Sequence, residues 1–267
     1  MLISFCTIAS GSSGNSAFVS SGKTKVLVDA GLSGRALCCA LAHVGEDPAE
    51  LSAIFLSHEH GDHIKGAGIL SRRFNLPIYL TAGTLANLER YNALGKIADD
   101  KLFLVRPGVP VHLDGLVATP FALPHDANEP VGYSFSNGRH KIGIATDLGH
   151  APPDVAAHLA DSDIILIESN HDIEMLKYGS YPAHLKQRIL GPLGHLSNAA
   201  CGMLLAKIIS AKTKHIFLGH LSEENNRPAL AYETVKNVLI ANKFNVGEDF
   251  GLYLANRHNP GPLISLA

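Results

Sequence analysis

Ser57-His58-Glu59-His60-Gly61-Asp62-His63 places three imidazoles and a carboxylate ligand within six positions, His58 to His63. Imidazole and carboxylate are the ligands preferred by zinc and other first-row metals. The segment follows an apolar run, Ile54–Ser57, and leads into a helical pattern. It therefore reads as a turn at the end of a buried strand. On a strand these side chains would alternate between faces; on a turn they converge. His58, His60, Asp62 and His63 are candidate metal ligands, and the H-x-H-x-D-H spacing is far more specific than a lone pair of histidines.

The rest of the chain has to fold so that this turn finds partners. Of 267 residues, 46% are hydrophobic and 17% charged, enough apolar material for a packed core. The length fits one domain spanning residues 1–267. A formal net charge of -2 excludes a strong positive field over the whole molecule, so binding to nucleic acid would need a local patch. No apolar run reaches the roughly 18 residues of a membrane span, and Met1–Ser10 lacks the basic start of an export signal. Cys6, Cys38, Cys39 and Cys201 form no C-x-x-C pair and read as reduced thiols. The expectation is a cytoplasmic protein with no membrane association.

Strand patterns run over Ile3–Ile8, Ser16–Ser20 and Lys25–Asp29, and Ser33 caps a helix to about His43. Asp62 is read as the cap of a helix continuing to about Phe74. Further strands are expected at Pro77–Leu80, Leu102–Val105, Val111–Leu113 and Leu116–Leu123. Tyr133–Ser136 and Lys141–Ala145 flank an Asn137-Gly138 hairpin turn. Ile164–Glu168 is a continuous apolar run, as in a strand covered on both faces. Helices Asn198–Ser210 and Ala229–Ala241 alternate with strands His215–Gly219 and Gly251–Leu254, before a Pro/Gly tail. Two similar halves of this kind suit an α/β, four-layer αββα sandwich, although propensity alone does not choose it over other α/β folds.

The H-x-H-x-D-H turn after a strand resembles the signature of the metallo-β-lactamase superfamily, and the resemblance extends along nearly the whole chain. It implies three more ligands, each just after an expected strand: His125, Asp147 and His220. By the same resemblance one metal takes His58, His60 and His125, the other takes Asp62, His63 and His220, and Asp147 bridges them. Two divalent ions, Zn²⁺ or Mn²⁺, would then hold a bridging hydroxide as the nucleophile. Asp29, at a strand end, is placed to orient a ligating histidine or to cap a turn.

Segments in both halves are similar to the YycJ/WalJ family, bacterial members described as double-stranded DNA exonucleases. They are Ala9–Ser16, Val28–Gly31, Leu166–Asp172, Tyr181-Pro182 with Leu185–Ile189, Gly194–Asn198 and His220–Asn226. The layout is also similar to RNase Z, in which a Glu and a His near Glu168 and His195 are thought to protonate the leaving oxygen. That comparison implies catalytic roles for Glu168 and His195, with His195 the general acid and Glu168 its orienter; Asp62 is a further catalytic candidate. The chain departs from RNase Z in having no long Gly/Pro-rich arm. It departs from the β-CASP nucleases in having no large insertion between Asp147 and His220. Lys177, Lys186 and Arg188 lie between the Glu168 and His195 segments. Lys186 and Arg188 are the candidates for holding backbone phosphates, against the plainer reading of a solvated helix face.

The expected activity is therefore phosphodiester hydrolysis, with DNA as the partner and exonuclease action as the mode. A small-molecule hydrolase, cleaving a cyclic phosphodiester or a thioester, is the alternative that the near-neutral charge favours. A non-catalytic metal-binding module is the third reading, and the full ligand set argues against it.

Overall fold

The structure is a computed structural model that describes residues 2–267. Among the described residues two seven-stranded sheets stack face to face with helices outside each. The expected αββα sandwich is what forms.

The first sheet has the order β14-β1-β2-β3-β4-β5-β6, with β1 Ile3–Ala9, β2 Ser16–Ser21, β3 Thr24–Val28, β4 Ala53–Phe55, β5 Ile78–Leu80, β6 Leu102–Leu104 and β14 Ile264–Leu266. The second has the order β13-β12-β11-β10-β9-β8-β7, with β7 Val111–Leu113, β8 Leu116–Ala122, β9 Val131–Ser136, β10 Lys141–Ala145, β11 Ile164–Glu168, β12 His215–Gly219 and β13 Gly251–Leu254. Strands β3 to β6 run parallel, as do β10 to β13. Parallel strands put their carboxyl ends on one edge, where loops gather and sites are built.

The period-2 alternation of strands decides which layer each side chain fills. In β11, Ile164 and Leu166 pack between the sheets against Phe5, Phe55, Phe135 and Phe217. Ile165 and Ile167 face the other way, onto α5 Pro153–Leu159, α8 Asn198–Ile208 and α9 Pro228–Ala241. Both faces are buried, which is why the run is continuously apolar. The first sheet packs its outer face, Leu27, Ile54 and Ile78 among others, onto α1 Gly34–His43, α3 Ala67–Phe74 and α4 Ala82–Arg90. Polar bonds also tie the sheets: next to the His-rich turn the buried Tyr133 hydroxyl donates to Leu56 O at 2.7 Å and Val131 N–H donates to Ser57 O at 3.0 Å.

Two expectations change at that turn. The helix read from Asp62 to Phe74 is broken into α2 Gly61–Ile64 and α3. Gly66 N–H turns away to Ala30 O at 2.7 Å, and a Cβ there would lie 2.5 Å from Leu32 O. Asp62 does not cap; His60 holds the cap position, without a side-chain bond, and Asp62 sits in the first turn. Elsewhere, the Pro/Gly tail contains β14, paired antiparallel to β1. Short helices also form at α5, α6 Ile173–Tyr178 and α7 Ala183–Leu190.

Candidate metal centre

The ligand candidates and their carboxylate partners leave the carboxyl ends of strands. Asp29 follows β3, the His-rich turn follows β4, His125 follows β8, Asp147 follows β10, Glu168 ends β11 and His220 follows β12. Asp29, Asp147 and His220 have φ of 62°, 65° and 52°. This left-handed backbone costs non-glycine residues about 1–3 kcal/mol each and clusters where a side chain must be aimed. Here it turns three side chains at the ends of straight strands into one cleft.

Four buried imidazoles share one arrangement. Each is hydrogen-bonded at Nδ1: His58 to Ser57 Oγ at 2.9 Å, His63 to Asp29 Oδ2 at 2.8 Å, His125 to Gly194 O at 3.2 Å and His220 to Glu168 Oε1 at 2.6 Å. An Nδ1–H donated outward leaves Nε2 as the free lone pair, the usual way a ligating histidine is oriented. The Nε2 atoms of His58, His125 and His220, and Asp147 Oδ2, are buried with no hydrogen-bond partner among the described residues. Orphaned buried polar atoms are costly, and four in one cleft is the signature of a donor set awaiting a cation.

Donor atoms from His58, His60 and His125 come within 4.8 Å of one another, as do those of Asp62, His63 and His220. Asp147 lies between the two groups. Its Oδ2 is 3.1 Å from His63 Nε2, and its Oδ1 is 3.8 Å from His125 Nε2. Nitrogen and carboxylate donors in this number fit first-row divalent cations. Burial pushes the Asp62 and Asp147 carboxyls up, yet the surrounding imidazoles outweigh it and hold both below the usual carboxylate range. For His220 burial pulls down, but the nearby Asp147, Asp62 and Glu168 carboxylates push it up to about 10. Protons thus hold together a cluster of anions that a cation can hold instead.

Asp147, Glu168, His195 and His220 also converge. Glu168 is not free to ligate there. Its Oε1 accepts from His195 at 2.9 Å and His220 at 2.6 Å, and its Oε2 accepts from the N–H groups of Leu196 at 2.8 Å and Leu148 at 3.2 Å. Four donors use the acceptor capacity of one carboxylate. Burial raises its pKa, but His195 and the two imidazole bonds win and hold it at about 2. His195 lines the cleft with His60, Asp62, His125, Asp147 and His220. Burial lowers its pKa, and Glu168 more than reverses this, so it is raised.

Arg188 lines the same cleft, its guanidinium paired in two-pronged fashion with Asp126. Lys186 does not reach the cleft: its ammonium donates to Lys177 O at 2.8 Å and Gly179 O at 2.7 Å, pinning a turn. His184 is exposed on α7, and His150 bonds Pro192 O at 2.9 Å. His171 is buried near Glu168 and His195 and does not line the cleft. Sequence reasoning did not single out Asn15 or Ser57. Buried Asn15 donates to Asp62 Oδ2 at 3.1 Å, and Ser57 Oγ bridges Asp29 and His58. Their only signal was position inside two motif segments.

This fold and donor set define a class. The chain belongs to the β-lactamase superfamily: the family model described as "Beta-lactamase superfamily domain" matches residues 24–215. Within that superfamily it belongs with the WalJ and YycJ proteins. It is 38% identical over 262 residues to Exodeoxyribonuclease WalJ of Streptococcus pneumoniae, covering 98% of this chain and 97% of that one. To Exodeoxyribonuclease YycJ of Bacillus anthracis it is 38% identical over 253 residues, 95% of each. In fold it is similar to the metallo-β-lactamase fold protein YhfI from Bacillus subtilis, with a TM-score of 0.71 at 16% identity over 98% of this chain and 99% of that one.

Proposed function

We propose that the chain is a metal-dependent exodeoxyribonuclease that hydrolyses phosphodiester bonds of DNA. Its divalent ions are a pair, zinc or manganese, one held by His58, His60 and His125, the other by Asp62, His63 and His220, with Asp147 shared. When bound, such a pair supplies a deprotonated water at neutral pH and neutralises charge on the phosphate.

The observation that carries the phosphodiesterase reading is the Glu168 carboxylate, shared between His195 and the ligand candidate His220. A leaving alkoxide needs a proton. His195, its pKa raised by Glu168 and its ring lining the cleft, is placed to give one. The same carboxylate fixes the ring of His220, so donor and ligand are set by one anchor. Arg188 faces the cleft as a phosphate contact once it leaves Asp126. Lys186 serves by holding the turn at 177–179 rather than by meeting substrate.

DNA as substrate is supported by the similarity, over nearly the whole chain, to two proteins named exodeoxyribonucleases. Ligand candidates come from both sheets, which supports residues 1–267 acting as one domain. Among the described residues no helix is long and apolar enough to cross a membrane. The four free thiols favour a reducing, cytoplasmic setting.

The test is purified protein with Mn²⁺ or Zn²⁺ on end-labelled duplex DNA, beside Asp62→Ala. Laddering from one end that is absent in the variant supports the reading. Intact DNA alongside hydrolysis of a small thioester or cyclic phosphodiester would overturn it.

A further inference from the structure

The segment Gly11-Ser12-Ser13-Gly14 takes no part in the chemistry above, yet it is bolted to Asp62. Buried Asn15 fixes it: Asn15 Oδ1 accepts from Gly11 N at 2.9 Å, its amide donates to Gly11 O at 3.1 Å and to Asp62 Oδ2 at 3.1 Å, and its N–H reaches Asp62 O at 2.7 Å. Gly14 N closes the turn on Gly11 O at 2.9 Å. The loop therefore has one shape, set relative to a metal-ligand candidate. Ser12 and Ser13 stand exposed on top of it.

A second cavity adjoins the metal cleft here. The two share Ser12 and Asp62, and the second is also lined by Ser13, Gly61, Ile64 and Lys65. Among the described residues the N–H and hydroxyl groups of Ser12 and Ser13 make no hydrogen bond, and Lys65 makes neither an ion pair nor a hydrogen bond. The other cation lining either cavity, Arg188, is occupied by Asp126. A preorganised set of N–H and O–H donors with one free ammonium suits an anion bearing several acceptor oxygens.

We infer that Ser12, Ser13 and Lys65 form a subsite for a DNA backbone phosphate neighbouring the one being cleaved. The inference rests on the nuclease reading above and deepens it. A neighbouring phosphate exists only in a polymer, so this subsite would make the enzyme prefer a strand over a small diester. Asp62 at its edge disfavours free anions, so occupancy depends on a strand already held in the metal cleft.

The experiment compares wild type with Lys65→Gln and with Ser12→Ala/Ser13→Ala, each checked for full metal content. Hydrolysis of duplex DNA and of bis(4-nitrophenyl) phosphate is measured, together with binding of a labelled duplex capped by phosphorothioates across a salt series. In each variant the ratio of kcat/KM on DNA to that on the small diester falls about tenfold, as expected for one lost charge-assisted contact. In Lys65→Gln the slope of log affinity against log salt also shrinks by about 1. Variants that keep the wild-type ratio and slope, with wild type cleaving DNA, would overturn the subsite and leave the nuclease reading intact. Wild type that cleaves only the small diester would remove both.

Discussion

Gly31 lies so close to Asp62 that a Cβ on it would sit 1.7 Å from the Asp62 carbonyl oxygen. The reason is a stack of three loops, backbone on backbone. Ala30 N–H reaches His63 O at 2.7 Å, Gly31 N–H reaches Asn15 O at 2.8 Å, and Asn15 N–H reaches Asp62 O at 2.7 Å. The His-rich turn is thus held from below by the chain leaving β3 and from the side by the Gly/Ser loop.

Gly31→Ala is expected to force these loops apart. Overpacking of this kind costs about 1–3 kcal/mol. The urea midpoint should fall, and metal content after dialysis should fall with it because Asp62 and His63 move. A variant with wild-type midpoint and metal content would mean that the stack is not rigid.

Asp29→Asn removes the carboxylate that holds His63 Nδ1 and the Ser57 hydroxyl. Losing such an outer partner weakens metal affinity by about 10- to 100-fold. Competition with a chromophoric chelator measures it, and Lys23→Gln, remote from the site, serves as a control. Equal affinities for Asp29→Asn and wild type would argue that His63 is oriented by packing alone.

Glu168 gives a pH signature in the metal-free protein. Its folded pKa, about 2, lies below the ordinary 4.5. A depressed carboxylate contributes stability that is fully present above 4.5 and is lost as pH falls toward about 2. The stability gap between wild type and Glu168→Gln, from urea unfolding, should therefore narrow as pH is lowered through that window. A gap that widened on acidification would show that the carboxylate is not held ionised.

Much of this site was legible in the sequence, for physical reasons that differ by residue. His58, His60, Asp62 and His63 announce themselves because their ligand chemistry is packed into one turn. Asp147 and His220 were readable from resemblance because each follows an apolar strand, and β10 and β12 form as expected. The double use of Glu168 was not readable. Its bonds span 27 and 52 positions and depend on the left-handed turn at His220. Lys186 is the reverse case: its charge pattern points to a phosphate contact, whereas the fold gives its ammonium two backbone carbonyls as partners. β14 was hidden in the Pro/Gly tail because three residues paired to an existing edge need little pattern of their own.

The thiols separate by burial. Burial pushes Cys6 up to about 12 and raises Cys201 as well, whereas Cys39 is exposed. Since only the thiolate reacts, Ellman's reagent should label Cys39 in native protein and reach Cys6 and Cys201 only on unfolding. Rapid native labelling of Cys201 would place the second sheet's outer core in contact with solvent.

The account turns on whether the donor atoms gathered from β4, β8, β10 and β12 bind a pair of cations. Elemental analysis of metal-loaded, dialysed protein tests this directly. Wild type should carry about two divalent ions per chain, and His125→Ala and His220→Ala should each retain about one, as expected when one ligand is lost from each half of the site. Wild type that holds fewer than one ion per chain, or keeps its full load in both variants, would contradict the centre described here.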